Sequence, residues 1–332
     1  MSTVFVPLLT LVACTSLVFG LVYLVMRMTR EREAQREQLW RSFAEPRGGF
    51  SVPASGGFFR RRAASIVVPH AHASVSVDVH VVSHGKSSTT YTRARARYAL
   101  GFGPSFRISS EGLLSAVGKA LGAQDLVFDD LAFDARFVIK GESLDGIRAA
   151  WTPRARQAAL SFERPSVSSD GNEVVALVLG VLVHDHELEA LTTMVGEVAS
   201  YRVAELADLA RAAEATFQPP SGQPPMLRFA TPRGDVTAGL ARHGLVLRLV
   251  DARGLPPLAA VLSPTEVHGL PGELLTDAAR ALVPLVGSCR LATQDGFVWL
   301  TWPGVPDARS FRAGAELLAE LAGGDPSRGA FR

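Results

Sequence analysis

From Val4 to Met26 the chain runs 23 residues without a charged side chain. At about 1.5 Å per helical residue that is roughly 34 Å, enough to cross a hydrocarbon core of ~30 Å with little tilt. Pro7, Thr10, Thr15, Ser16 and Gly20 interrupt the run, but a lipid-embedded helix tolerates them because its backbone groups pair internally. The pattern predicts one transmembrane helix within residues 1–26. Lys and Arg are absent before the run, whereas Arg27, Arg30, Arg32, Arg36 and Arg41 follow it. The positive-inside rule therefore expects a single pass through the inner (cytoplasmic) membrane with the N-terminus outside and the body in the cytoplasm. A cleaved secretory signal wants a basic start and a shorter apolar run. The box Leu11-Val12-Ala13-Cys14 has the form of a lipoprotein cleavage site, yet the run continues twelve residues past Cys14, which reads as a small apolar helix residue.

Residues 27–64 form a charged stalk and basic linker. Nine Arg stand against four Glu between Arg27 and Arg62, and Phe58-Phe59 sits beside Arg60, Arg61 and Arg62. Anionic inner-leaflet lipid is one expected partner of that cluster, at about 1 kcal/mol per basic residue near the surface; a solvated linker is the other reading.

Over the whole chain, 47% hydrophobic and 20% charged residues indicate folded rather than disordered chain. Alternation from Val67 to Val82 predicts one half-buried strand. A second strand puts Ala94, Ala96, Tyr98 and Leu100 inward and Arg93, Arg95 and Arg97 outward. Paired as a hairpin, the two place Asp78 across from Arg93 or Arg95. Further elements are expected as a helix at Glu111 to Leu121, a strand at Phe133 to Lys140, helical turns from Ser143 to Leu160, strands flanking a Ser169 to Asn172 turn, and one long helix from Glu187 to Phe217. Residues 218–225, Gln218-Pro219-Pro220-Ser221-Gly222-Gln223-Pro224-Pro225, read as a linker. The fold class is α+β: an N-terminal transmembrane helix, then two units with antiparallel sheets, at 65–217 and 226–325. Thr152 precedes Asp170 by 18 residues and Thr276 precedes Asp295 by 19. A diverged internal duplication and a chance match of two hairpin units both account for that spacing.

The run Asp129-Asp130-Leu131-Ala132-Phe133-Asp134-Ala135-Arg136-Phe137-Val138-Ile139-Lys140, followed by Trp151-Thr152-Pro153-Arg154 and the Asp170-Gly171 turn, resembles an uncharacterised bacterial membrane-anchored family. Its members carry a domain of unknown function with an acidic-x-x-Phe-acidic-x-x-Phe-Val strand and a Thr-Pro helix start. The resemblance covers about residues 65–185 and implies a charged soluble domain beside hydrophobic segments, with no catalytic residues to carry over.

Six of the eight histidines cluster in pairs: His70 with His72, His80 with His84, and His184 with His186. Imidazoles at i and i+2 on a strand point the same way and offer two ligands to a metal, so His70, His72, His184 and His186 are the metal candidates. Uncoordinated histidines on a polar face are the alternative. His84-Gly85-Lys86-Ser87 lacks the first glycine and the following helix of a phosphate-binding loop. Asp185 is expected to cap a helix. Cys289 has no His–acid partner in view, and no Gly-x-Ser-x-Gly elbow exists. Arg93, Arg95 and Arg97, about 6.6 Å apart along one face, form the candidate binding surface; with Tyr91 alone for stacking, nucleic acid is not the favoured ligand. The resulting expectation is a non-enzymatic, membrane-tethered binding or scaffold protein, without cofactor, that engages the bilayer through residues 4–26 and a cytoplasmic protein through its sheet face. A metal-assisted hydrolase using the histidine clusters is the alternative.

Overall fold

The computed structural model describes residues 5–55, 63–85, 87–110, 127–141, 143–220, 223–231, 234–242, 244–250, 257–294 and 296–322, with only the backbone of 5–19, 234, 250 and 294. Helix α1 (Phe5–Ala44) is one uninterrupted element of 40 residues. It ends in a 3-10 turn closed by Gly48 at φ +75°, a conformation without steric cost for glycine. Among the described residues no helix is long and apolar enough to cross a membrane. Of the run expected to span, Val4 and the side chains of residues 5–19 lie outside the described residues.

The first sheet contains β1 (Phe50–Val52), β2 (Ser65–His70), β3 (Ala73–His84), β4 (Ser87–Arg97), β5 (Ser105–Ser110), β6 (Phe137–Gly141), β7 (Ser166–Asp170) and β8 (Glu173–Leu179). Their order across the sheet is β1-β2-β3-β4-β8-β7-β5-β6, every neighbour antiparallel. Helices α2 (Leu131–Asp134), α3 (Leu144–Ala150), α4 (Pro153–Leu160) and α5 (Asp185–Ala199) complete the unit. One core holds Ile147, Trp151, Leu188, Leu191 and Met194 from this layer, Val75, Val77 and Ala94 from the sheet, and Trp40 and Phe43 from α1.

Helix α6 (Val203–Ala213) opens a second unit, followed by β9 (Thr216–Gln218), β10 (Met226–Thr231), β11 (Gly234–Ala241), β12 (Gly244–Val250), β13 (Ala259–Leu262), β14 (Val267–His268), α7 (Asp277–Val286), β15 (Cys289–Gln294), β16 (Phe297–Thr301) and α8 (Ala308–Ala322). Its sheet runs β9-β10-β11-β12-β16-β15-β13-β14. Strand for strand this is the order of the first sheet. Each unit is entered by a helix (α1, then α6), carries a helix ahead of its last hairpin (α4, then α7) and closes on a helix (α5, then α8). Thr152 and Thr276 hold the same place: each caps the inserted helix, its hydroxyl accepting from the backbone N–H three residues on. The last hairpins turn at Gly171 and Gly296, both at positive φ. The repeat expected from the two Thr and Asp-Gly spacings thus extends through eight strands.

Several local expectations are corrected. The single strand over 67–82 is the hairpin β2–β3, turning at Ala71-His72 with Ala71 at φ +51°. The buried set switches there from Ile66 and Val68 to Val75 and Val77, which a continuous alternation does not reveal. The strand expected from Phe133 begins at Phe137, because the Asp130 side chain accepts from Phe133 N–H and starts α2. The long helix over 187–217 breaks at Ser200 to Arg202, with Arg202 at φ +57°. Helix α5 packs in the first core and α6 in the second, so the chain passes between cores ahead of the proline-rich segment. The helix expected at 111–121 lies outside the described residues.

If the two caps are equivalent, Thr276→Ala lowers the stability of the full chain in urea by about 1 kcal/mol. Thr152→Ala costs more, since its hydroxyl also donates to Glu197 Oε2 at 3.3 Å. A neutral Thr276→Ala contradicts the assigned cap.

Candidate functional site

Among the described residues, the helices of each unit pack on one face of its sheet, and the residues of the other, more open face are half-buried to exposed. On the open face of the first sheet, Asp78 of β3 stands opposite Arg93 of β4. Its carboxylate accepts from Arg93 Nε at 2.8 Å and Nη2 at 2.7 Å, and from Arg95 Nη2 at 3.4 Å. Such a two-pronged contact is the favoured geometry for a guanidinium and a carboxylate. The hydrogen bond to Asp78 holds the Arg93 guanidinium above its ordinary pKa, against the opposing effect of burial. Of the predicted row, then, Arg93 is committed to Asp78 and Arg95 partly so. Arg97 is exposed, opposite Glu173 in the register. Tyr91 lies at the end of the row beside Leu179.

The second sheet carries a counterpart that the sequence reading did not include. Arg95 faces Val175, the third residue of β8, and Arg248 faces Trp299, the third residue of β16. On the other side they face Ser76 and Thr237. An arginine beside a hydroxyl therefore occupies the same central position on both open faces. Arg248 lies over the rings of Phe297 at 4.4 Å and Trp299 at 5.5 Å, a cation–π arrangement. Arg228 is paired with Asp235, and Arg290 is exposed on β15. The readable signal was the alternation Phe297, Trp299 in the last strand. Arg248 was hidden because β11, which sets its register, is short of β-branched residues.

The histidines are dispersed. The turn at Ala71 separates His70 from His72, so the two rings do not share one strand face. His70 Nε2 lies 3.5 Å from Glu197 Oε1, while the His72 ring meets Phe217 edge-on at 6.1 Å. His184 and His186 stack at 5.6 Å with 15° between rings, exposed at the start of α5. His184 holds the N-cap position without a side-chain bond and Asp185 is the first helical residue, which corrects the expected Asp185 cap. Among the described residues no three His, Cys, Asp or Glu approach closely enough to hold a metal ion. Burial pushes the Cys289 thiol up to about 12, so it is protonated and inert at neutral pH.

One cavity of about 520 Å³ lies between α1 and the end of the first sheet, lined by Arg30, Ala34, Glu37, Ala54, Ala63 and Val81 among others. The basic cluster Arg60, Arg61 and Arg62 lies outside the described residues, but its flanks Ala54 and Ala63 are on this wall. No family model, no curated protein and no solved structure matches the chain.

On the helix-covered side, Glu197 of α5 gives the first unit a pH signature. Its carboxyl is held below the ordinary 4.5, first by the His70 ring 3.5 Å away, with burial opposing and Arg154 and Thr152 assisting. A carboxylate with a depressed folded-state pKa stabilises the fold above about 4.5, and that contribution is lost as pH falls through the lower, folded value. Glu197→Gln is therefore expected to be less stable than the parent at pH 7, with the difference shrinking below about pH 4.5 in urea titrations. A difference independent of pH contradicts the pairing.

Proposed function

We propose that this chain is a membrane-tethered, non-enzymatic binding protein. In this reading the apolar run of α1 crosses the inner membrane of a bacterium with its N-terminus out, and the two-unit body presents its open sheet faces to a protein partner in the cytoplasm. The observation that carries the reading is the course of α1. It is continuous from Phe5 to Ala44, is first fully buried in the body at Trp40, and leaves Leu21, Val22, Tyr23, Leu24, Val25 and Met26 exposed on every side. Six consecutive large apolar side chains wrapped around a helix need an apolar solvent, since leaving each in water forgoes about 1.5 kcal/mol or more. Arginines from Arg27 onward set the orientation, and Arg60, Arg61 and Arg62 in the linker sequence add attraction to anionic lipid. We further propose that the two units descend from one by duplication, which leaves the bivalent pair of arginines, Arg95 and Arg248, as the shared centre of the binding faces.

Binding is favoured over catalysis by how the polar groups are used. Arg93 with Asp78, Arg228 with Asp235 and Arg156 with Asp130 satisfy one another as structural pairs instead of converging on a pocket.

Expressed in bacteria, the full chain is expected to stay in the membrane fraction after alkaline carbonate, and a Leu17→Arg, Leu21→Arg double variant is expected to lose that retention. With single cysteines in a Cys14→Ala background, an impermeant thiol reagent should label Ser2→Cys from outside intact spheroplasts and Asp208→Cys only after lysis. Release of the parent chain by carbonate, or labelling of Asp208→Cys from outside, contradicts the proposal.

A further inference from the structure

The β3–β4 hairpin and α1 run side by side, and their register fixes where the hairpin ends. Gly49 joins the two at one level: its N–H donates to Ala44 O at 2.9 Å, and it packs on the Val67 carbonyl and Val68. Val68 pairs with Val75 of β3. At a second level, Arg30, Ala34 and Glu37 of α1 share a cavity wall with Val79 and Val81. Going back along α1 from Ala44 to Ala34 covers about 15 Å at ~1.5 Å per residue. Going forward along β3 from Val75 to His80 covers about 16 Å at ~3.3 Å per residue. Helix α1, which packs on β1 and β2, and strand β3 thus run antiparallel on the two sides of this cavity and keep step.

Beyond that level, β3 continues three residues from Val81 to His84, about 10 Å. The same distance back along α1 from Arg30 reaches Tyr23, and from Ala34 reaches Arg27. The hairpin tip therefore comes level with the polar end of the apolar run. Its described residues Ser83, His84, Ser87 and Ser88 are all exposed, and they are small and polar, suited to a headgroup layer and not to hydrocarbon.

We propose that the tip of the β3–β4 hairpin is a second contact with the bilayer, resting on phospholipid headgroups while α1 passes through. This rests on the membrane-tethered reading of α1. Two points of support fix the strands of the first sheet near the membrane normal. Arg93 then stands six residues, about 20 Å, and Arg97 ten residues, about 33 Å, from the tip at Ser87. Both distances exceed the ~8 Å Debye length at physiological salt, so the arginine row is presented to a protein and not to lipid.

The test uses the full chain in vesicles of phosphatidylcholine and phosphatidylglycerol containing a headgroup-attached nitroxide quencher. A fluorophore is placed on Ser83→Cys or Ser88→Cys at the tip, or on exposed Ser74→Cys at the far end of the same strand, in a Cys14→Ala background. The buried Cys289 thiol does not compete. Quenching at both tip positions at least twofold greater than at Ser74→Cys is expected. Equal quenching at tip and far end, in chains that float with the vesicles, overturns the second contact and leaves the tether standing. Chains that do not float overturn the tether and the second contact with it.

Discussion

The first unit depends on a short chain of buried hydrogen bonds that starts in α1. The Trp40 indole N–H donates to Leu182 O at 3.0 Å, Leu182 N–H donates to Thr92 Oγ1 at 2.9 Å, and Thr92 Oγ1 donates to Gly180 O at 2.9 Å. Trp40 and Thr92 are almost wholly buried, so loss of any partner strands a polar group away from water at a cost of about 1–3 kcal/mol. The chain ties three pieces distant in sequence: the end of α1, the segment leaving β8, and the central strand β4. Phe43 and Ala44, both fully buried, finish the seat. Helix α1 is thereby part of the core, not an appendage, and whatever α1 is anchored in holds the sheet as well.

The second unit solves the same problem within itself. Trp302, just past β16, donates its indole N–H to Val286 O at 2.8 Å and so clamps the end of α7 to the last strand. Helix α6 takes the entering position that α1 takes in the first unit, and it packs in the second core through Val203, Leu206 and Leu209. Two-unit binding by equivalent faces is the use proposed for this repeat. The central arginine is kept, while its neighbours differ: Asp78 beside one, Phe297 and Trp299 beside the other.

Period-two patterns with clear contrast were legible. The inward set Ala94, Ala96, Tyr98 and Leu100 is buried, and Asp78 meets the arginines as the hairpin register required. The repeated spacing of Thr152 and Thr276 to the Asp-Gly turns was legible, but their places as helix caps were not. Features that depend on a single backbone angle were not. Ala71 and Arg202 adopt positive φ without the glycine or asparagine that usually marks such a turn, so a hairpin was read as a strand and two helices as one. Short or weakly patterned strands, β9, β11, β13 and β14, gain their place from neighbours, and their pairing is a tertiary property. The histidine pairs looked alike in sequence, yet that same turn at Ala71 separates His70 from His72 while His184 and His186 stack.

The central claim is that α1 is one rigid helix from the bilayer to Trp40. Amide hydrogen exchange of the full chain in vesicles, followed over residues 27–39, tests it most directly. The account predicts slow, continuous protection across this stretch, since a helix held at both ends opens only with its supports. Exchange at the rate of unstructured chain between Arg27 and Leu39 contradicts it.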